Sequence, residues 1–190
     1  VEALLSGQLA ALTTAQVAAL TTEQVAAIEQ PDLAAMGTAQ VVAFTTEQLQ
    51  ALTTAQVPSL TTSQLRALTT AQVPAFGSEQ IAALTPTQVA ALQTAQVRAL
   101  GTEQLAALTS DQVAALHTQQ LAALDTSQVA ALTTEQVVAL SGSQLAALGT
   151  AQVAALTTEQ LPAIETGDMP SLGTAQIQAI AATDVAQLLS

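Results

Sequence analysis

Thr13-Thr14-Ala15-Gln16-Val17-Ala18-Ala19-Leu20 is followed without a gap by Thr21-Thr22-Glu23-Gln24-Val25-Ala26-Ala27-Ile28, the same octad with two substitutions. The eight-residue frame runs outward from there in both directions, from Leu5 to Leu188, with neither insertion nor deletion, and makes 23 full units. A fixed short period of this kind is the signature of a repeat architecture, in which no unit buries its apolar face alone. Residues 1–190 therefore read as a single repeat array. Val1-Glu2-Ala3-Leu4 fit the back half of a further unit, so the array is expected to extend beyond the chain.

Numbering the octad positions from Thr13, position 8 is always large and apolar, mostly Leu with Ile28, Met36, Phe44 and Phe76 as variants, and position 5 is always Val, Leu, Ile or Met. Position 7 is Ala or Ser in every unit but the last, where it is Gln187. Position 4 is Gln in 20 units and Asp in three, at Asp32, Asp168 and Asp184. Position 3 takes Glu, Ala, Ser or Pro, and position 6 takes Ala, Val, Gln, Arg or Pro. These tolerances place positions 5 and 8 in the core, position 7 at a close contact that admits only a small side chain, and positions 3 and 6 in solvent.

Each octad carries a helix start. Thr at position 1 and Gln at position 4 have the spacing of a capping box, and the preceding position 8 with position 5 has that of a hydrophobic staple. Gly, Ser or Asp, which often replace that Thr, are also serviceable caps, and Pro86 falls at N1, where its missing amide costs little. A continuous helix does not fit. Eight residues advance about 80° beyond two full turns, so the apolar stripe would wind around the rod. Pro58, Pro74, Pro162 and Pro170, all at position 6, would also break it repeatedly. Within a short helix such a proline still removes one bond, so these units are expected to be little more than one turn. A β-solenoid is disfavoured because Ala and Gln are poor strand formers, Asn is absent, and only eight Gly are available for corners. The predicted fold is all-α: a superhelical solenoid of short helices, one per octad. How many octads make one turn is open. Gly77, Gly101, Gly149 and Gly173 fall on a 24-residue spacing, with Asp125 in the gap, which suggests three. Duplication of 24-residue blocks would leave the same pattern.

Composition narrows the function. The net charge is −12, from 14 acidic residues and two arginines, Arg66 and Arg98, with no Lys. Phosphate binding needs cations, so nucleic acid and anionic membranes are not expected partners. No apolar run approaches the roughly 18–20 residues of a membrane span. Cys is absent, which excludes disulfides and thiolate metal sites. His117 is the single histidine and sits at position 1, a capping position near solvent; no triad or zinc site can be assembled around it. The carboxylates at positions 1, 3 and 4 are better read as complements to the first helical turn than as calcium ligands. No catalytic, cofactor-binding or metal residue is therefore assigned, and an enzyme is not expected. A Thr array of this regularity also suggests ice binding, but Thr at position 1 already has a capping role and is often replaced.

The unit, with variants such as Leu84-Thr85-Pro86-Thr87-Gln88-Val89-Ala90-Ala91-Leu92, resembles the Ala/Thr/Gln-rich octad arrays of very large bacterial surface or secreted proteins of the adhesin-like, haemagglutinin-like or haem-utilisation kind. That resemblance implies an extracellular or cell-surface stalk, spacer or filament-forming segment, and it carries no catalytic residues. A haem role gains nothing from His117, Met36 and Met169, which are isolated, the methionines at core positions. Uncapped solenoid ends imply head-to-tail self-association into fibres as one partner mode. A protein-binding solenoid scaffold is the alternative, although the exposed positions offer few of the aromatic and Arg residues that usually anchor partners. The drift at Ala181-Ala182-Thr183-Asp184 and Gln187 reads as a cap or a decayed unit.

Overall fold

The computed structural model describes residues 6–180; Val1–Leu4 and the drift from Ala181 onward lie outside them. Within this span the chain forms eighteen short α-helices and four 3-10 turns, one per octad, and no strand among the described residues. The α-helices are four to six residues long, a little shorter than a helix filling the whole octad, because the end of each unit straightens into the corner. Leu52, for instance, has φ −61° and ψ 132°, and Leu100 has φ −63° and ψ 139°. Helices this short are not stable alone in water, so their order comes from stacking.

The stacking has one rule. Helices that pack on one another are three units apart: Thr22–Ala26 on Thr46–Ala51, Thr38–Val42 on Thr62–Ala67, Pro86–Ala91 on Ser110–Ala114. The solenoid is thus three-sided, with three octads to a turn and 24 residues between stacked positions. The 24-residue columns seen in the sequence are columns in space.

Inside the triangle runs one continuous core. Position 5 is almost fully buried from Val17 to Leu161, and position 8 is buried from Ile28 to Ile180. Positions 3 and 6 lie mostly on the outside, as expected. Position 7 is mostly half-buried: Ala43 and Ala83 rest against the core from its margin, and Ala75 alone is buried among the described residues. The small residue there borders the stack and is not its tightest contact. The four proline units behave as the sequence predicts. Val57–Ser59, Val73–Ala75, Leu161–Ala163 and Met169–Ser171 are single 3-10 turns with the proline as the middle of three residues, its missing N–H leaving no bond to continue the helix.

Candidate functional site

The feature that repeats most faithfully is at the corners. In Thr13, Thr21, Thr45, Thr61, Thr85, Thr109 and Thr133 the hydroxyl accepts from the backbone N–H three residues on, and the glutamine there returns the bond to the N-cap N–H. Thr61 is typical: Gln64 N–H donates to Thr61 Oγ1 at 3.2 Å and Thr61 N–H donates to Gln64 Oε1 at 2.7 Å. Where position 1 is Gly, Gln or His, only the glutamine half remains, as at Gly77, Gln93 and His117, each donating its N–H to Oε1 at 2.7 Å. Two reciprocal bonds thereby satisfy donors that every helix start leaves open.

The other end of the same glutamine does something the sequence reading did not assign. Gln48 Nε2 donates to the carbonyls of Val17 at 3.0 Å and Leu20 at 2.6 Å, with Ala18 at 3.3 Å. Gln64 repeats this on Leu33 and Met36, Gln96 on Leu65 and Leu68, and Gln136 on Leu105 and Leu108. The acceptors stand 28 to 31 residues back, at the end of the unit that precedes the one beneath. The position-8 carbonyls among them have no donor in their own unit, and the position-5 carbonyls, which already accept the N–H three residues on, gain a second. One side chain thus closes the start of its own helix with its oxygen and the end of an earlier helix with its nitrogen. Gln40 to Gln160 are correspondingly buried, although the reading of faces had placed only positions 5 and 8 in the core. A buried amide with all its partners is a strong specifier of geometry, and no buried side-chain N or O atom lacks a partner among the described residues. We call this arrangement the glutamine clasp.

Two units depart from it. Unit 29–36 begins with Glu29 and has Asp32 at position 4; unit 165–172 begins with Glu165 and has Asp168. Neither start has a side-chain cap bond or a capping box. An ionised Asp has no N–H to donate and is one methylene shorter, so it cannot make the clasp. Under the second of these units the backbone comes close to its neighbour. A Cβ on Gly142 would sit 2.2 Å from Ser171 Oγ and 2.9 Å from Asp168 Oδ1, so the glycine there gives room to the coil above.

The outside of the solenoid has three unlike edges, set by position 1. One carries Thr61, Thr85, Thr109, Thr133 and Thr157; another carries Gly77, Gly101, Asp125, Gly149 and Gly173; the third passes from Thr45 and Thr69 to Gln93, His117, Ser141 and Glu165. Shallow grooves follow the second and third edges. Pro74, Phe76, Gly77 and Gly101 line one, and Arg66, Gln93 and His117 line another. His117 is exposed, and its backbone serves the cap while no second His, Asp or Glu joins it: among the described residues no three metal-ligating side chains come together.

The carboxylates at position 3 also stack in columns, Glu23 with Glu47, Glu79 with Glu103, and Asp111 with Glu135 and Glu159. Hydrogen bonds from their own backbone N–H groups and from the neighbouring Thr hydroxyls hold Glu23, Glu47 and Glu135 below the ordinary glutamate range. Asp125 is lowered first by the Ser127 hydroxyl, then by the Gln128 N–H, which donates to Oδ1 at 2.8 Å, with Arg98 adding a weaker attraction. These carboxylates finish helix starts. Their pKa shifts all favour the charged form, the direction that suits a cap and not a general acid.

A chain of identical short helices, stacked three to a turn and joined by one recurring polar clasp, defines an α-solenoid repeat protein. Comparison with protein families makes this specific. The ALTTAQ repeat model matches residues 1–28, 25–62, 62–94, 86–118, 113–142 and 138–163. The chain belongs to the ALTTAQ repeat family; the hexapeptide of that name stands unaltered at 11–16, 51–56 and 67–72. No curated protein matches the chain. Among the described residues no helix is long and apolar enough to cross a membrane.

Proposed function

We propose that the array is a structural element, a spacer or stalk segment that holds other parts of a bacterial surface or secreted protein at a set distance. The observation that carries this reading is the sameness of the corners: the clasp recurs from Gln40 to Gln160 with its acceptors always 28 to 31 residues back. A catalytic or ligand site needs unlike groups converging on one point, whereas here each coil offers what the coil below offers. The same observation supports a non-enzymatic role. The acidic, Lys-free surface keeps such a rod apart from other rods, and an exterior location accords with the resemblance to surface-protein arrays.

Small-angle scattering of arrays lengthened in 24-residue steps tests the spacer. Each step should add one helix-packing distance, about 8–10 Å, to the long axis at constant cross-section. A cross-section that grows with length would sink the reading. Protease treatment of intact cells of the host tests the location: the array should be cleaved from outside, and an array protected until lysis would place it elsewhere.

A second reading, a protein-binding scaffold, is favoured by the grooves beside Phe76 and Arg66. It expects a pull-down with the array to recover one stoichiometric partner that is lost on Arg66→Ala.

A further inference from the structure

The two arginines stand at equivalent places and are treated differently. Each is at position 6, and the position-1 residue of the coil above at the same corner follows 27 residues on: Asp125 for Arg98, Gln93 for Arg66. Arg98 is close enough to attract the Asp125 carboxylate. Gln93 instead donates its Nε2 to the Arg66 carbonyl at 2.8 Å and brings no charge. The exposed Arg66 guanidinium therefore meets no carboxylate among the described residues. It lines a groove together with Gln93 and His117. The four units that form this groove, 61–68, 85–92, 93–100 and 117–124, hold no Asp or Glu, although the chain has 14. Gln93 and His117 are also released from capping: neither side chain bonds its own helix start, and both are exposed. Three unlike groups, a guanidinium, a carboxamide and an imidazole, thus share one stretch of edge.

We propose that this groove binds an extended acidic peptide with a carboxylate at every third residue, one of them seated on Arg66 and another on His117. The inference deepens the scaffold reading, on which it rests, by naming the partner's chemistry. Charge selects the ligand class. Screening at physiological salt limits a charge's reach to about 8 Å, so an uncompensated guanidinium between carboxylate-free walls outweighs the chain's net −12. A guanidinium takes a carboxylate on two parallel N–H donors, and an imidazole keeps an N–H donor whether or not it is protonated. Gln93, between them, keeps one amide hydrogen and its Oε1 for the peptide backbone. Spacing selects the conformation. Position-1 residues on this edge recur once per coil, about 8–10 Å. Three residues of polyproline II advance about 9 Å and bring the side chain back to the same side. Such a segment, lying along the solenoid axis, sets every third side chain against the next coil.

Fluorescence anisotropy of labelled peptides with the 190-residue chain at physiological salt tests this. Repeated Glu-Pro-Pro should bind, and repeated Gln-Pro-Pro, which has no charge, should bind about tenfold more weakly or worse. Repeated Glu-Pro-Pro-Pro breaks the step and should lose about threefold or more. Arg66→Gln should weaken the first peptide about fivefold and His117→Ala about threefold. Arg98→Gln, the same change of charge at the paired site, should alter it by less than about twofold. All three side chains are exposed, so far-ultraviolet dichroism should not change. Equal weakening by Arg66→Gln and Arg98→Gln, indifference to spacing, or no binding up to millimolar peptide overturns the proposal. Polygalacturonate that binds at Arg66 where the peptide does not also overturns it, since the ligand is then an acidic sugar chain. A stoichiometric protein partner lost on Arg66→Ala, with no peptide bound, would end this inference and leave the scaffold standing. An array that recovers no partner and binds no peptide would end both.

Discussion

Unit 61–68 and unit 165–172 have the same length, the same place in the octad frame and apolar residues at the same two positions, Leu65 with Leu68 and Met169 with Leu172, yet they are held in different ways. In the first, Thr61 and Gln64 exchange cap bonds, the Gln64 amide seals Leu33 and Met36 below, and six residues are α-helical. In the second, Glu165 and Asp168 make neither cap nor clasp, Pro170 reduces the helix to a single 3-10 turn, and Met169 is only half-buried where Leu65 is 2% exposed. The family match ends at residue 163, just before this unit. The contrast separates two contributions that usually travel together. Apolar periodicity keeps the second unit in the stack without a polar corner, as it does unit 29–36, where Leu33 is 0% exposed although Glu29 makes no cap bond and Asp32 carries no amide.

Replacing Gln64 by Glu should have the largest effect. The capping box survives, since Glu closes it as well as Gln does, but a carboxylate now faces the Leu33 and Met36 carbonyls, and both lose the amide that Gln64 gives them. A buried, unpaired charge of this kind costs about 3 kcal/mol or more. Urea unfolding of E and Q forms would show it, and an equal stability would mean that the clasp is decoration on a hydrophobic stack. Thr61→Ala should cost about 1 kcal/mol through the lost cap, while Glu165→Ala, where there is no cap bond to lose, should cost almost nothing. Equal losses would erase the distinction between the two units. In the opposite direction, Asp168→Gln should stabilise unit 165–172 by about 1 kcal/mol by supplying donors to the Val137 and Leu140 carbonyls. Hydrogen exchange of the amides around Met169 would report this as slower opening. The smallest effect is that of acid. Glu23, Glu47, Glu135 and Asp125 have their carboxyls lowered in the fold, so what they contribute is present above the ordinary carboxylate range and is lost as pH falls through their folded values. All four are fully exposed, so thermal unfolding should shift little and only below that range, because the clasp itself joins amides to carbonyls and does not titrate.

Much of this was legible in the octad. The caps at Thr13 and Thr21, the apolar pairs, the single-turn proline units and the 24-residue columns of Gly77 and Glu135 all follow from spacing and residue type. The clasp was not, for a specific reason. A capping box already accounts for Gln at position 4, so its nitrogen had no visible task, and its acceptors lie in another coil whose distance depends on the number of units per turn. The signal was present nonetheless: Glu, an equal partner in a capping box, never stands at position 4 in 23 units. A demand for a donor, not merely an acceptor, is what excludes it. Position 7 erred the other way, since a strict preference for Ala or Ser, at Ala43 as at Ser59, marks a crowded margin as readily as a buried contact. His117, Arg66 and the grooved edges leave no trace in periodicity, because one residue in one unit makes no pattern.

Every clasp points backward, from a later residue to carbonyls some thirty positions earlier. No pairing waits for a distant strand or for the far terminus. The entropic penalty of bringing two partners together is therefore the same in the fifth coil as it would be in the fiftieth, since it depends on the span closed and not on the total. A chain emerging amino end first finds the acceptors for each new amide already laid down, and an array of any length can wind up at the pace of its own synthesis.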